Sequence, residues 1–219
     1  MKITFQMFKL IASIICVLIV TASPVDSKTN MNIGRFILPV MTKDRSKIES
    51  ISLTGIGRFG EYRKARISFP AHLHTGIDIK RPSGNYENEP VFSIYPGKVL
   101  SVRDDGPYAQ IIIEHLLSKN RKIWSVYEHV AGIMVKVSDH VESNKPIARF
   151  MNKKELNKFG WQFDHFHFEI LKIAPKKVIY NPLLPGRFYA TYNMECFTPE
   201  ILNRYYYDPI VILRNGNAN

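Results

Sequence analysis

Short apolar runs separated by turn-forming residues recur along most of this chain, and this pattern constrains its fold more than any other feature. Turn formers such as Pro96-Gly97 and Asp105-Gly106-Pro107 stand between the runs. Only residues 152–158 read as a helical turn, so no long helices separate the runs. Such a series of strands is typical of an all-β domain with mostly antiparallel pairing, arranged as a sandwich or a barrel. The predicted strands are 91–94, 98–102, 109–115, 122–129, 146–150 and 163–173.

The first residues have the layout of a secretory signal. Lys2 and Lys9 precede an apolar run over residues 10–20, and small residues follow it directly. The run is about eleven residues long, shorter than the roughly twenty residues that a membrane-spanning helix needs. We therefore predict a cleaved signal peptide within residues 1–27. Retention of this segment as a membrane anchor is the alternative.

Net charge and cysteine usage bear on the compartment and the partners. The formal charge is +11, and it becomes +10 in the mature chain because the leader carries two lysines and one aspartate. A basic exported protein is drawn to the anionic polymers of its surroundings. We therefore expect a secreted or periplasmic location, no nucleic-acid partner, and membrane contact only if the leader is retained. Cleavage also removes Cys16 and leaves Cys196 alone, which excludes an intramolecular disulfide.

Three segments follow the leader. Residues 28–70 read as a linker-like lead-in, with short strands only at 36–40 and 51–53. Residues 71–184 hold the strand pattern and form the predicted core. Residues 185–219 form a C-terminal extension crowded with aromatic side chains, which we predict to pack on the core as extra strands. A subsite for glycan or peptide is the alternative role of this extension.

The most informative motif is the predicted strand from Asp164 to Ile170. Side chains alternate between the two faces of a strand, so His165, His167 and Glu169 point one way while the apolar residues between them point into a core. Two imidazoles on one wall can serve one metal, the first as a ligand and the second at the open side of the ion. A polar, solvent-facing strand is the alternative. Glu169 either orients an imidazole or is simply solvated.

A second motif places His74 and Asp78 four residues apart, with Gly76 midway. In an extended segment all three residues face one side, and the glycine leaves that side empty between two candidate ligands. Imidazole and carboxylate both suit zinc, and three protein ligands with one open position are typical of catalytic zinc. His72 is a competing ligand candidate. A turn with a capping aspartate is the alternative to a metal site.

Two further histidines end predicted strands. His129 follows Tyr127-Glu128, and His115 follows the run over residues 111–114. A histidine at a strand end near a metal can orient water or stabilise the oxyanion of an attacked peptide carbonyl. Each of them, taken singly, also fits a structural histidine. For His115 we expect a structural role only.

The motifs occur in the order H-x-x-x-D, a strand ending I-x-H, Y-x-H, and H-x-H-F-E, followed by Asn181-Pro182. This series, over about residues 71–184, resembles the lysostaphin-type, LytM-like zinc metallopeptidases, which cut cell-wall peptides. The resemblance implies an antiparallel β-sandwich that carries its site in an open groove. It also implies Zn²⁺ as the cofactor, with zinc ligands at His74, Asp78 and His167 and a catalytic pair at His129 and His165.

The resemblance implies an exported endopeptidase that acts on a peptidoglycan peptide or another extracytoplasmic peptide. Two alternatives stand beside it: an inactive domain that binds the wall or activates another hydrolase, and an endopeptidase that acts on proteins. The chain departs from the family where residues 152–164 replace a loop rich in glycine and serine. One wall of the groove therefore differs. Tyr62 and Arg63 are candidates for an additional oxyanion donor.

Overall fold

The computed structural model of the protein describes residues 34–67 and 69–216, so the predicted signal peptide lies outside the described residues. Within them, no helix combines the length and the apolar character that crossing a membrane requires. The elements are β1 Tyr62–Arg63, β2 His72–Leu73, β3 Ile77–Lys80, β4 Pro90–Phe92, β5 Gly97–Arg103, β6 Gln110–Ser118, β7 Arg121–Glu128, β8 Val130–Ala131, β9 His140–Val141, β10 Pro146–Phe150, α1 Lys153–Phe159, β11 His165–Leu171, β12 Lys176–Lys177, β13 Tyr189–Ala190, α2 Pro199–Tyr205, β14 Tyr206–Tyr207 and α3 Pro209–Asn215.

Strands dominate the described residues and pair antiparallel, which confirms the predicted all-β class. A seven-stranded sheet has the order β14-β11-β7-β6-β5-β9, with β3 also paired to β11, and a three-stranded sheet has the order β4-β10-β8. Apolar residues of both sheets form one main core, in which Tyr127, Phe150 and Phe166 are fully buried. Burying each such side chain stabilises the fold by about 1.5–3 kcal/mol.

Strand β11 has neighbours along both edges. One edge pairs with β7, while the other pairs first with β3 and then with β14. Phe166, Phe168 and Ile170 belong to the main core, so the alternating residues project from the opposite face of the sheet. On that face His167 stands directly across from Asp78 of β3. The register of two neighbouring strands therefore sets the spacing of two candidate ligands.

The lead-in packs into the core, and the interpretation of residues 28–70 as linker-like is wrong for its described part. Phe36, Leu38 and Val40 are buried in the main core. Val40 also forms an isolated β-bridge with Val91. The continuous apolar run over residues 36–40 carried this signal. It forms only isolated bridges, because the backbone does not run alongside a sheet strand for longer.

Helix α1 lies where the sequence predicts a helical turn. The Asn152 side chain accepts a hydrogen bond from the Glu155 backbone N–H, and the Glu155 carboxylate accepts one from the Asn152 N–H. This reciprocal capping satisfies two donors at the helix start. The helix replaces the loop that the family resemblance would lead one to expect, so one wall near the site is helical.

The C-terminal extension contains two helices, so the expectation of extra strands is only partly met. Helices α2 and α3 each begin with a capping residue followed by proline, at Thr198-Pro199 and Asp208-Pro209. Strand β14 joins the large sheet and β13 pairs with β12. Side chains of the extension and of the seven-stranded sheet form a second apolar cluster, on the face of that sheet that carries the site. Its buried members are Ile112, Trp124, Val126, Leu171, Cys196, Leu202 and Tyr206.

Candidate metal centre

Three buried side chains converge on one point beside β11. His74 Nε2 lies 2.8 Å from His167 Nδ1 and 3.0 Å from Asp78 Oδ1, and His167 Nδ1 lies 3.1 Å from the same oxygen. Donor atoms about 2.1 Å from a tetrahedral zinc are about 3.4 Å apart, so a small outward movement of each side chain would admit the ion. The structure therefore brings the three predicted ligands together.

Gly76 makes this convergence possible. A Cβ atom at position 76 would lie 2.2 Å from the Phe168 carbonyl oxygen and 3.0 Å from the His167 ring. No side chain fits in that space, because real Cβ contacts do not approach so closely. The glycine thus lets the turn that carries His74 lie directly against β11. The position between the two predicted ligands is empty, as the sequence pattern predicts.

The opposite ring nitrogens of both histidines are already engaged, and this fixes which nitrogen faces the cluster. His74 Nδ1 donates to the Arg58 carbonyl oxygen at 2.8 Å, and His167 Nε2 donates to Glu169 Oε1 at 3.0 Å. A carbonyl can only accept, so the proton of neutral His74 sits on Nδ1 and its Nε2 lone pair points at Asp78. Partners of this kind orient the imidazoles that bind metals.

Glu169 is buried behind the cluster rather than solvated. Its Oε1 accepts from His167 Nε2 and from the Thr75 hydroxyl. Its Oε2 has no hydrogen-bond partner among the described residues. Of the two roles that the sequence left open for Glu169, the contacts support the one in which it orients an imidazole. A buried carboxylate with an unpaired oxygen also adds negative potential at the site.

The charges of the cluster fit a cation. Burial alone would raise the pKa of Asp78, but hydrogen bonds with His167 and His74 outweigh it and hold that pKa below its ordinary value. Burial would lower the pKa of His167, whereas its hydrogen bonds with Asp78 and Glu169 raise it to about 10. Three acceptor atoms that point at one another repel unless a positive charge lies among them. A proton supplies that charge in the metal-free chain, and a bound metal would displace it.

His129 and His165 border the three predicted ligands. Their ring centroids are 5.4 Å apart, and His165 Nε2 lies 3.7 Å from Asp78 Oδ1. His129 adopts φ 63, in the left-handed region, and its Nδ1 donates to the Pro107 carbonyl oxygen. A non-glycine residue in this conformation costs energy and turns the side chain away from the regular strand direction. Burial lowers the pKa of His165 to about 4 and lowers that of His129 as well.

Aromatic side chains stand next to this histidine pair. The Phe163 ring centroid is 5.0 Å from that of His129, and the Tyr108 centroid lies 6.1 Å from His129 and 6.0 Å from Phe163. Trp161, which precedes Phe163 in the same short helical turn after α1, is 51% exposed. The segment that departs from the family pattern therefore contributes an aromatic surface beside the candidate catalytic residues.

Of the remaining candidates, only Arg63 forms a hydrogen bond with a predicted ligand. His115 is fully buried, and its ring contacts the Pro96 carbonyl oxygen and the Ser125 hydroxyl. His72 Nδ1 donates to the Pro70 carbonyl oxygen, and the residue is not part of the converging group. Tyr62 is exposed. Arg63 reaches the site, but its contact is a bond from Nη2 to Asp78 Oδ2 at 2.7 Å.

Sequence reasoning missed the groups that the lead-in supplies to the site. The Arg58 carbonyl and the Arg63 guanidinium both contact ligand side chains, although the sequence pattern places them in a linker. A backbone carbonyl has no sequence signature. The only available signal was the proximity of Arg63 to the zinc motif, and it suggested an oxyanion donor rather than a partner for Asp78.

Comparison with known proteins gives a family. The model of peptidase family M23 matches residues 72–182, which include every predicted zinc ligand and both predicted catalytic histidines. No curated protein matches the chain.

Several solved structures are similar to this chain. A zinc-containing peptidase from Vibrio cholerae is 26% identical with a TM-score of 0.42, and the match covers 62% of this chain and 36% of that one. Lysostaphin is 18% identical with a TM-score of 0.46, covering 77% of this chain and 52% of that one. A mutant catalytic domain of the prophage-encoded M23 protein EnpA from Enterococcus faecalis is 20% identical with a TM-score of 0.41, covering 71% and 94%. This chain thus spans about a third of the Vibrio cholerae protein.

Proposed function

Because the chain belongs to peptidase family M23, we propose that it is an exported zinc metalloendopeptidase that hydrolyses peptide bonds of cell-wall peptidoglycan. One observation carries the proposal: His74 Nε2, Asp78 Oδ1 and His167 Nδ1 converge within 3.1 Å, an arrangement of acceptors that calls for a cation. The same cluster is bordered by two more histidines, which suits peptide hydrolysis better than structural metal binding.

The three ligands offer zinc two neutral imidazoles and one carboxylate. When bound, zinc supplies Lewis acidity, which lowers the pKa of water toward about 7 and polarises a carbonyl. Arg58 and Glu169 hold the two imidazole rings in the orientation that directs their free nitrogens to one point. Asp78 contributes one oxygen and the negative charge that balances part of the charge of the ion.

His129 and His165 are the residues that would move the proton. Burial lowers the pKa of both, so each is neutral near pH 7 and can accept a proton from an attacking water. His129 Nδ1 is engaged by the Pro107 carbonyl, which leaves Nε2 as its free nitrogen. One histidine of the pair then acts as the general base and passes the accepted proton to the leaving amine, while the other stabilises the oxyanion.

The proposed location and substrate class rest on sequence features beyond the site. The leader pattern supports export, and the mature charge of +10 supports attraction to an anionic wall. Exposed basic groups act over a Debye length of about 8 Å at physiological salt, which is long enough to enrich an anionic polymer at the surface. The charge therefore serves encounter with the substrate rather than the chemical step.

An endopeptidase that acts on proteins is the second candidate function. It is favoured by the helical and aromatic wall around Phe163 and Trp161, because this wall differs from the glycine- and serine-rich loop of the family that the chain resembles. The degenerate, inactive alternative is less favoured, since no predicted ligand or catalytic histidine is missing from the site.

Digestion of purified sacculi tests the proposal. The mature protein should release soluble muropeptides, lose this activity in a chelator and regain it when zinc is returned. Asp78→Asn is the matched control, because it keeps the size of the side chain and removes the ligand charge. Zinc-loaded protein that releases no muropeptides but cleaves an unfolded protein would favour the second candidate, and a zinc-loaded protein that cleaves neither would contradict both.

A further inference from the structure

The two oxygens of the Asp78 carboxylate have separate partners. Oδ1 faces His74 and His167, while Oδ2 accepts a hydrogen bond from Arg63 Nη2 at 2.7 Å. The side chains of Arg63 and Asp78 are only 14% and 7% exposed. An ion pair so removed from water is strong and directional, and it holds the carboxylate in one rotational position.

Backbone groups of the segment that contains Arg63 also hold the backbone of Asp78 in β3 and of His74 in the turn before β3. The Asp78 N–H donates to the Gly57 carbonyl at 2.9 Å, and the Thr54 N–H donates to the Asp78 carbonyl at 3.0 Å. The His74 N–H donates to the Glu61 carbonyl at 2.8 Å. Thr54, Gly57, Glu61 and Arg63 all precede the part of the chain that the family model matches.

Gly57 shows how closely the two segments approach. A Cβ atom at position 57 would lie 2.8 Å from the Cβ of Asp78 and 3.0 Å from its carbonyl oxygen. Only glycine allows this contact without a shift of backbone or ligand. The lead-in therefore lies directly against the chain at Asp78, and Arg63 approaches the carboxylate from a segment that is held in place by several backbone bonds.

A carboxylate whose second oxygen is free can rotate and offer both oxygens to a metal. The Arg63 guanidinium prevents this, since it holds Oδ2 by a charge-assisted bond on the side away from the two histidines. We propose that Arg63 is a positioning residue that keeps Asp78 a one-oxygen ligand, and that residues 54–63 are a structural part of the metal centre. This inference rests on the proposed role of zinc at the site.

Metal affinity of the purified full-length mature chain tests the inference without reference to activity. Arg63→Met keeps most of the side-chain length and removes the charge, and we expect it to weaken zinc binding about 10–100-fold in competition with a chromogenic chelator. Arg63→Lys retains a charge and should recover part of the affinity. Arg66→Met is the matched control, because Arg66 is exposed and lies over the Phe69 ring instead of at the site.

The visible spectrum of the Co²⁺-substituted protein gives a readout that general destabilisation would not move. Its band intensities depend on coordination number, so Arg63→Met should change them and Arg66→Met should not. Arg63→Met with wild-type affinity and an unchanged spectrum would overturn the inference, and so would an Arg63→Lys variant as weak as Arg63→Met. If the wild type itself binds neither zinc nor Co²⁺, the proposed function fails rather than the role of Arg63 alone.

Discussion

His115 and His167 are buried histidines on the same sheet, yet their surroundings give them opposite chemistry. Burial lowers the pKa of His115 to about 4, and its neighbours are the Pro96 carbonyl and the hydroxyl of Ser125. His167 lies between the carboxylates of Asp78 and Glu169, and their hydrogen bonds raise its pKa to about 10 against the effect of burial. The first site keeps a neutral ring, whereas the second attracts positive charge.

The polar groups around His115 are hydrogen-bonded to one another. The Ile94 N–H donates to the Tyr127 hydroxyl, which bonds to Ser125, and the Ser125 hydroxyl bonds to His115 Nε2. Every ring nitrogen of His115 therefore has a neutral partner, and no lone pair faces an open site. Hydrogen-bond partners, rather than burial or position on a strand, therefore decide whether a buried histidine stays neutral or attracts positive charge.

His129 and His165 share the lowered pKa of His115, but they border the predicted ligands. His129→Ala and His165→Ala should keep zinc and lower turnover by about 10²-fold or more, because each removes proton transfer or oxyanion stabilisation. Metal analysis and kinetics on the same preparations measure both effects. Loss of zinc in either variant would place that histidine among the ligands and break the division of roles.

The neutral state of His115 predicts a pH-dependent stability. Its pKa falls from 6.5 in the unfolded chain to about 4 in the fold, so the unfolded state binds more protons between these values. Above pH 6.5 the ring is neutral in both states, so the free energy of unfolding has its full value. It decreases by about 3 kcal/mol as the pH falls through 6.5 to 4. Chemical unfolding of the metal-free chain should show this loss, and His115→Gln should show a loss smaller by about that amount. Parallel pH profiles would contradict the assignment.

Glu169 gives the smallest of these effects. Glu169→Gln keeps an acceptor for His167 Nε2 and removes the charge, so zinc affinity should fall about tenfold, at the low end of the range for partners behind metal ligands. The affinity is measured by chelator competition. Glu114→Gln is the control, because that partly exposed carboxylate pairs with Lys122 and lies on the strand that carries His115. A Glu169→Gln variant with unchanged zinc affinity would show that the charge of Glu169 does not support metal binding.

The sequence was sufficient to predict the all-β class and the convergence of His74, Asp78 and His167. Alternation along β11 separates His165, His167 and Glu169 from the phenylalanines, because strand geometry has a fixed period. The order of the motifs also indicated the family, and the match of the family model over residues 72–182 confirms it. These features are local, and local patterns survive in a single sequence.

The parts that were missed depend on contacts between distant segments. The lead-in looked like a linker because glycines and charges interrupt it, yet Phe36 and Leu38 enter the core and Arg63 reaches Asp78. Helices α2 and α3 were overlooked because the extension is rich in aromatic residues, although Thr198-Pro199 and Asp208-Pro209 are ordinary helix starts. Here aromatic composition was given more weight than capping signals.

Zinc content per chain measures whether His74, Asp78 and His167 form a metal site. After incubation with zinc and removal of the unbound metal, the wild-type protein and the His115→Gln variant should each retain one zinc per chain, because the ligand set is untouched in both. Asp78→Asn should retain none and should not release muropeptides from sacculi. A wild type without bound zinc, or an Asp78→Asn variant with full zinc and full activity, would contradict the account of this site.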